Sequence, residues 1–433
     1  MVVHEELDPH MSSSRLVVMG QGYVGLPLAL RAAATGFAVT GYEPNTATVE
    51  ALNAGTSHID DISDEELGAA KRAGYSASSD PTVLAEADVI VVCVPTPLSD
   101  AGGPDLTMVE TAAETIGQHV QAGCLVILES TTYPGTTEEV FAPRVLARGD
   151  LGADDVLIAF SPERIDPGNP TYGVKNTPKV VGGLTPAATV AAKNFYGTFI
   201  DTVVEAKGAK EAEMAKLIEN TFRHVNIALV NEMVRFSDDL GIDLWDAINC
   251  AETKPFGFMA FRPGPGVGGH CIPVDPSYLS HRVKAKLGYA FRMVEMAEEI
   301  NDAAPTYVAS RVWRLLNDRG LAVRGARILL LGVTYKADIA DRRESPADPL
   351  AATLLSWGAD LRYADPFVPS WAPHGSESVF SSAEDVEKAL KDCDVAVLLQ
   401  SHAKFDLASI AEHAPVILDT RGVLPPVPGV NRL

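Results

Sequence analysis

Over the first two hundred positions, short apolar runs alternate with longer mixed stretches. Arg15–Gly20 (RLVVMG) predicts a strand broken by glycine, Leu26, Leu28, Leu30 and Ala33 mark a helical pattern, and Phe37–Tyr42 predicts a second strand. Further buried strands are expected at Val89–Val94, Leu125–Leu128 and Val156–Phe160, with room for helices between them. This alternation describes a parallel sheet covered by helices on both faces. From Ala209 to Leu240 there is neither Pro nor Gly, and apolar residues recur at Met214, Leu217, Ile218, Phe222, Val225, Leu229, Met233, Phe236 and Leu240. That spacing predicts one amphipathic helix about 45 Å long, enough to join two domains or to pack against a second subunit. A Gly/Pro-dense loop, Pro255–Pro276, and a second helical stretch to Asn317 follow. Strands return at Arg327–Gly332, Asp360–Tyr363, Val395–Leu399 and Val416–Leu418. The expected fold class is α/β, with two Rossmann-like parallel-sheet domains joined by a long-helix central region. The expected boundaries are a disordered prefix over 1–14, then domains over 15–208, 209–318 and 319–433.

The chain has 433 residues, above the size at which one core stops growing, in keeping with several domains. Its formal charge of −22 argues against nucleic acid and anionic lipid as partners, and an anionic small ligand would need cations gathered locally. No apolar run reaches the length of a membrane helix, and the first residues lack the apolar region of a signal peptide. The five scattered cysteines, Cys93, Cys124, Cys250, Cys271 and Cys393, suggest a reducing cytoplasm, and no Cys/His cluster suggests a metal.

Two segments carry chemistry. In VVMGQGYVGLPLAL, Gly20, Gly22 and Gly25 form a GxGxxG spacing between strand and helix, with Tyr23 and Val24 in the same turn. The first glycine permits the turn, the second lets a pyrophosphate reach the backbone, and the third lets helix and strand pack closely. Glu43 ends the second strand, where a carboxylate accepts hydrogen bonds from a ribose diol and repels a 2′-phosphate, which favours NAD over NADP. Pro95 and Thr96, and Ser130 and Thr131, follow later strands and are expected to line the nicotinamide side. The second segment is FRPGPGVGGHCIPVDP, with Cys271 directly after a run of glycines and Asp275 four residues on. A thiolate beside a hydride acceptor can carry an aldehyde through a thiohemiacetal to a thioester, and Asp275 could then deprotonate water. A Cys/His dyad with His270 is disfavoured, because neighbouring side chains in an extended segment point apart. Lys216 and Asn220 share a helix face and could stabilise an oxyanion, and Glu163, after the strand Val156–Phe160, is a candidate acid–base group.

Together GQGYVGLPLA, VPTP, STTYPG, SPERIDPG, AKLIENTFR…NE, GPGVGGHCIPVDP and YKADIADRRESP, in that order, resemble the nucleotide-sugar 6-dehydrogenases, the family of UDP-glucose and UDP-N-acetylmannosamine dehydrogenases. The resemblance covers Leu16 to Gly422. It implies NAD-dependent, four-electron oxidation of the C6 alcohol of a UDP- or dTDP-linked hexose, in a cytoplasmic homodimer. By the same resemblance Cys271 is the nucleophile, Lys216 and Asn220 stabilise the oxyanion, Asp275 assists the hydrolytic water, and Thr132 and Glu163 join the proton network. It further implies a substrate contact from Arg262 across a subunit boundary, substrate contacts from Arg164, Gly268, Tyr335 and Lys336, and a cofactor contact from Arg343. Pro167, in place of a second acid, and IPVDP after the cysteine resemble the N-acetylhexosamine branch. Two other functions remain open at this point. One is a two-electron hydroxyacid or sugar-acid dehydrogenase with an incidental cysteine, and the other is a non-enzymatic nucleotide sensor.

Overall fold

Strands of Val, Ile and Leu buried on both faces need helices above and below them, and the computed structural model supplies both layers. It describes residues 14–433 except 60, 100–102, 167–168, 170, 270 and 375–377, and for Cys271 the backbone alone. The expected prefix 1–14 (but for Ser14), Pro167 and His270 therefore lie outside the described residues, as does the side chain of Cys271. Two compact units are distinct, the first ending at Glu219 and the second starting at Asn220.

The first unit runs β1 (Arg15–Met19), α1 (Gly25–Ala33), β2 (Ala38–Tyr42), α2 (Thr46–Ala54), α3 (Asp64–Arg72), β3 (Tyr75–Ser78), β4 (Val89–Val92), α4 (Thr107–His119) and β5 (Leu125–Leu128). A π-helical turn, Thr137–Phe141, leads into α5 (Ala142–Val145), β6 (Leu157–Phe160), β7 (Lys179–Gly183), α6 (Pro186–Gly197) and β8 (Val203–Glu205). The strands form one eight-stranded sheet ordered β3-β2-β1-β4-β5-β6-β7-β8. Its first six strands are parallel in the dinucleotide-binding order, whereas β7 runs antiparallel to β6, a reversal that hydrophobic patterning does not encode. Leu16 and Val18 face one apolar layer with Phe37, Phe195 and Phe199, and Val17 and Met19 face the other with Ile116 and Phe141.

Helix α7 (Ala209–Asp239) leaves the first unit and enters the second, which continues with α8 (Leu244–Glu252), α9 (Cys271–Leu287) and α10 (Arg292–Asn317). There follow β9 (Arg327–Leu331), α11 (Ala347–Ser356), β10 (Asp360–Ala364), β11 (Ser370–Trp371), β12 (Phe380–Ser381), α12 (Val386–Asp392), β13 (Val395–Leu398), α13 (Leu407–His413), β14 (Ile417–Asp419) and β15 (Val430–Arg432). The five-stranded sheet of this unit is parallel throughout, ordered β10-β9-β13-β14-β15. Ile328 and Leu330 pack on one of its faces, Leu329 and Leu331 on the other. One expectation is corrected here. The loop read as Pro255–Pro276 ends earlier, because α9 begins at Cys271 and takes Pro276 inside it. Cys271 thus opens a helix rather than sitting in an extended segment, and the geometric reason given against a pairing with His270 falls away. Among the described residues no helix is long and apolar enough to cross a membrane.

Candidate active site

The turn after β1 is shaped by steric need. Gly20 has φ +89°, and a Cβ there would stand 2.6 Å from the carbonyl oxygen of Cys93. A Cβ on Gly25 would overlap the carbonyl oxygen of Gly20, so α1 can start against the strand only with hydrogen at that position. At Gly22 the equivalent space holds no atom within 4 Å, which leaves bare backbone at the helix N-terminus open to a phosphate. Tyr23 and Val24 complete the turn half-buried. Glu43, directly after β2, accepts the Gln21 and Asn45 N–H groups, both at 3.2 Å, which fixes a carboxylate beside the glycine turn. Open backbone at Gly22 and an acid at the end of β2 fit a dinucleotide with a free ribose diol.

The loops after β4 and β5 are stitched together. Ser130 donates its hydroxyl to the Val94 carbonyl at 2.7 Å, next to exposed Pro95 and buried Thr96. Thr131 is half-buried and Thr132 fully buried, and the Thr132 hydroxyl has no hydrogen-bond partner among the described residues. A buried hydroxyl left in this way is unusual, and a reacting oxygen or a water would satisfy it.

Along α7, polar residues appear on successive turns, each engaged with a different segment. Glu213 accepts the Gly135 N–H at 2.5 Å, and the Thr137 N–H and hydroxyl at 2.8 and 2.7 Å. Burial pushes its carboxyl up to about 7, although those three donors pull the other way. Lys216 donates to the backbone carbonyl of Glu163 at 2.6 Å and meets its carboxylate at 3.3 Å, with both side chains buried. Burial raises the Glu163 carboxyl above its ordinary range, and Lys216 and then Lys179 hold the rise in check. Asn220, one turn beyond Lys216, donates its amide to Asp275 Oδ2 at 2.5 Å. Asp275 is fully buried and stands one helical turn after the first residue of α9, Cys271.

A buried ion pair that the sequence reading missed joins β7 to the end of β5. Lys179 Nζ is 2.9 Å from Glu129 Oε1, with 9% and 1% of the two side chains exposed. The Tyr196 hydroxyl also donates to Glu129, and Lys179 sits over the Tyr196 ring at 5.0 Å. Burial and then the Glu129 charge push the neighbouring Cys93 thiol well up, which keeps it protonated and inert. The signal was present but faint, a lone Lys entering the apolar run KVVGG.

In the second unit the glycines of the loop before α9 are taken up by close packing. A Cβ on Gly268 would stand 2.6 Å from the Tyr335 Cβ, and one on Gly269 would press on the same ring at 2.8 Å. Tyr335 and Gly268 are therefore brought together, and both glycines are explained by that contact. Gly264 donates its N–H to Asn231 of α7 at 3.0 Å, and Asn231 in turn donates to Asn301 of α10 at 3.0 Å. Asn301 also bonds the His224 carbonyl, and burial lowers the His224 imidazole to about 4, so it is neutral. Arg262 pairs with Glu252 at 2.9 Å within its own chain. Arg164 bonds the Pro178 carbonyl at 2.9 Å and pairs with Glu219, and Arg343 pairs with Asp341 at 2.6 Å. Lys336 lies half-buried in the loop after β9. A further cation missed from sequence is Arg421, which donates to the Leu399 carbonyl at 2.6 Å and lies 3.4 Å from where a Gly264 Cβ would be. Burial lowers it to about 10, with Asp419 opposing.

Comparison with known proteins follows this division of labour. Residues 14–200 match the NAD binding domain of the UDP-glucose/GDP-mannose dehydrogenase family, 210–303 its central domain and 329–426 its UDP binding domain. The chain belongs to the UDP-glucose/GDP-mannose dehydrogenase family. It is 32% identical over 95% of its length to UDP-N-acetyl-D-mannosamine dehydrogenase of Methanocaldococcus jannaschii, covering 92% of that protein. It is 34% identical over 94% of its length to NDP-N-acetyl-D-galactosaminuronic acid dehydrogenase of Ralstonia solanacearum, covering 95% of that protein. The solved UDP-D-ManNAc dehydrogenase of Pyrococcus horikoshii superposes with a TM-score of 0.87 at 31% identity, covering 96% of this chain and 98% of that one. As a member of the UDP-glucose/GDP-mannose dehydrogenase family the chain is an NAD-dependent oxidoreductase, and the glycine turn beside Glu43 lies within the match to the NAD binding domain.

Proposed function

We propose that this enzyme oxidises the C6 alcohol of a UDP-linked N-acetylhexosamine to the uronic acid, in two hydride transfers joined by a Cys271 thioester. The observation that carries the reading is the bond between Asn220 and Asp275, one turn after Cys271, and support comes from Lys216, which pairs with Glu163 and precedes Asn220 by four residues in α7. Bound NAD+ supplies the hydride acceptor for each oxidation. In the first, the C6 alcohol loses a proton toward the Thr132, Glu163 and Lys216 network and a hydride to the cofactor, giving an aldehyde. The Cys271 thiolate adds to that aldehyde carbon, and the ammonium of Lys216 and the amide of Asn220 stabilise the oxyanion. Loss of a second hydride turns the thiohemiacetal into a thioester. Asp275 takes a proton from the attacking water, and the carboxylate leaves as the thiolate is restored. The covalent link keeps the aldehyde from escaping between the two oxidations. The choice of an N-acetylated sugar is supported by IPVDP after the cysteine and by the names of the two relatives above.

Incubation with NAD+ and UDP-N-acetylmannosamine, UDP-N-acetylglucosamine or UDP-glucose should yield about two NADH per sugar consumed, with an N-acetylated sugar preferred. Cys271→Ser should abolish that stoichiometry. About one NADH per sugar with free aldehyde, or full turnover by the serine variant, would establish the two-electron reaction instead.

We also propose that the enzyme works as a homodimer through the outer edge of α7. Phe222, Leu229 and Phe236 on α7 and Leu240 just after it lie about half exposed or more, and Phe256 and Met259 in the loop after α8 are exposed apolar residues as well. A stripe of this extent is costly in water. Sedimentation should give the mass of two chains, and Leu229→Glu together with Phe236→Glu should give one. A wild-type monomer at micromolar concentration would refute the dimer and, with it, any role of Arg262 across an interface.

A further inference from the structure

Strand β9 has β10 on one side and β13 on the other, so strand order reverses at β9. Beyond the carboxyl ends of such neighbours an open sheet has a crevice that takes ligands. Two loops meet there. One leaves β9 and carries Tyr335 and Lys336, and the other leaves β13 and carries Gln400 and His402, and both lie within the match to the UDP binding domain.

The two loops are tied by side chains. Gln400 donates to the Tyr335 carbonyl at 2.6 Å, the Asp338 N–H donates to His402 Nδ1 at 2.9 Å, and the Ala403 N–H donates to Asp338 Oδ1 at 2.7 Å. On its far side the His402 ring meets Asp365 Oδ2 through Nε2 at 3.2 Å, and the same oxygen accepts the Val333 N–H at 2.7 Å. Asp338 is held at φ +65°, a left-handed conformation that costs a non-glycine residue about 1 kcal/mol and persists only where its surroundings enforce it.

These contacts fix the state of the imidazole. Since Nδ1 accepts the Asp338 N–H, the ring proton resides on Nε2 and is donated to Asp365. Burial alone would raise the Asp365 carboxyl, but the bonds from His402 and from the Val333 and Phe367 N–H groups hold it below the ordinary carboxylate range. The ring is fully buried, with the rings of Phe367 and Phe405 at 5.1 and 5.4 Å. A neutral histidine with both nitrogens engaged has no proton to exchange with substrate, and what it does is shape the turn that follows Tyr335 and Lys336.

We infer that His402, braced by Asp365, is a positioning residue that sets the loop after β9 and through it the affinity for the nucleoside diphosphate of the substrate. The inference rests on the nucleotide-sugar reading above and adds to it the residue that forms the nucleotide side. The chemistry of oxidation should be untouched.

The test measures UDP binding by calorimetry, and KM and kcat, in the full-length enzyme with His402→Leu, His402→Asn and His402→Gln. The leucine variant should weaken UDP and raise KM for the sugar nucleotide at least ~10-fold, with kcat and KM for NAD+ within about 2-fold. Asparagine puts an oxygen where Nδ1 was and should recover most of the UDP affinity, whereas glutamine, which reaches Asp365 but not the Asp338 N–H, should recover less. A general loss of structure would move kcat and both KM values together and would overturn the inference. So would UDP affinity equal to wild type in the leucine variant, or in both amide variants should the leucine variant not fold. A wild-type enzyme that binds NAD+ but not UDP would overturn the nucleotide-sugar reading, and this inference with it.

Discussion

Replacing Lys216 with methionine is expected to lower kcat about 100- to 1,000-fold, the usual cost of losing a preorganised oxyanion donor. The methylene stem is kept, so packing along α7 is little changed, while the ammonium that touches both the carbonyl and the carboxylate of Glu163 is lost. Burial already raises the Glu163 carboxyl, and Lys216 is the strongest of the groups that restrain the rise. Without it the carboxyl moves further up, so the acidic limb of the pH–rate profile shifts to higher pH. The sign for stability follows. A group whose folded-state value is raised destabilises the fold as pH rises through that value, and the lysine limits this penalty at neutral and higher pH. A kcat profile measured from about pH 5 to 9 decides the matter. An unshifted acidic limb with kcat near wild type would show that the pair is structural only.

The second large effect is on stability. Lys179→Met strands the Glu129 carboxylate, which is almost wholly enclosed, with the Tyr196 hydroxyl and the weakly donating Cys93 thiol left beside it and no cation among the described residues. Breaking one side of a buried ion pair costs about 3–5 kcal/mol, because the remaining charge is left without compensation. For a unit of this size that is a fall in Tm of roughly 6–20 °C in calorimetry. Removing both charges, as Lys179→Met with Glu129→Gln, should recover most of the loss, since a neutral amide can still accept from Tyr196. Equal melting of wild type, single and double variants would mean that water reaches the pair and that its apparent burial has no energetic weight.

Sequence patterning located the strands that are buried on both faces, because VIVV, LVIL and ILLL have no other comfortable place. It missed β3 (YSAS), which is short and made of small polar residues, and β7 (KVVGG), which opens on a charge and closes on glycines. The start of α9 was concealed by Pro273 and Pro276, since proline argues against helix except in the first turn. The glycine fingerprint was legible because each glycine answers a local steric demand. The residue types of the site were legible too, but not their partners. Lys216 with Glu163 and Asn220 with Asp275 are separated by more than fifty positions in sequence, and no local period encodes such pairings. Lys179 and His402 were invisible for another reason. Each is a lone polar residue whose meaning comes wholly from what folding puts around it.

Helix α7 sets a strict limit on the length of its own chain. Glu213, Lys216 and Asn220 reach their separate partners only because they emerge at fixed angles from one uninterrupted rod. Adding or deleting a single residue between them would rotate everything beyond by about 100° and slide it by about 1.5 Å, so the carboxylate, ammonium and amide could no longer all be aimed at once. Side chains elsewhere on the rod can be exchanged one at a time, but the number of steps from Glu213 to Asn220 is set by the three partners that these groups reach.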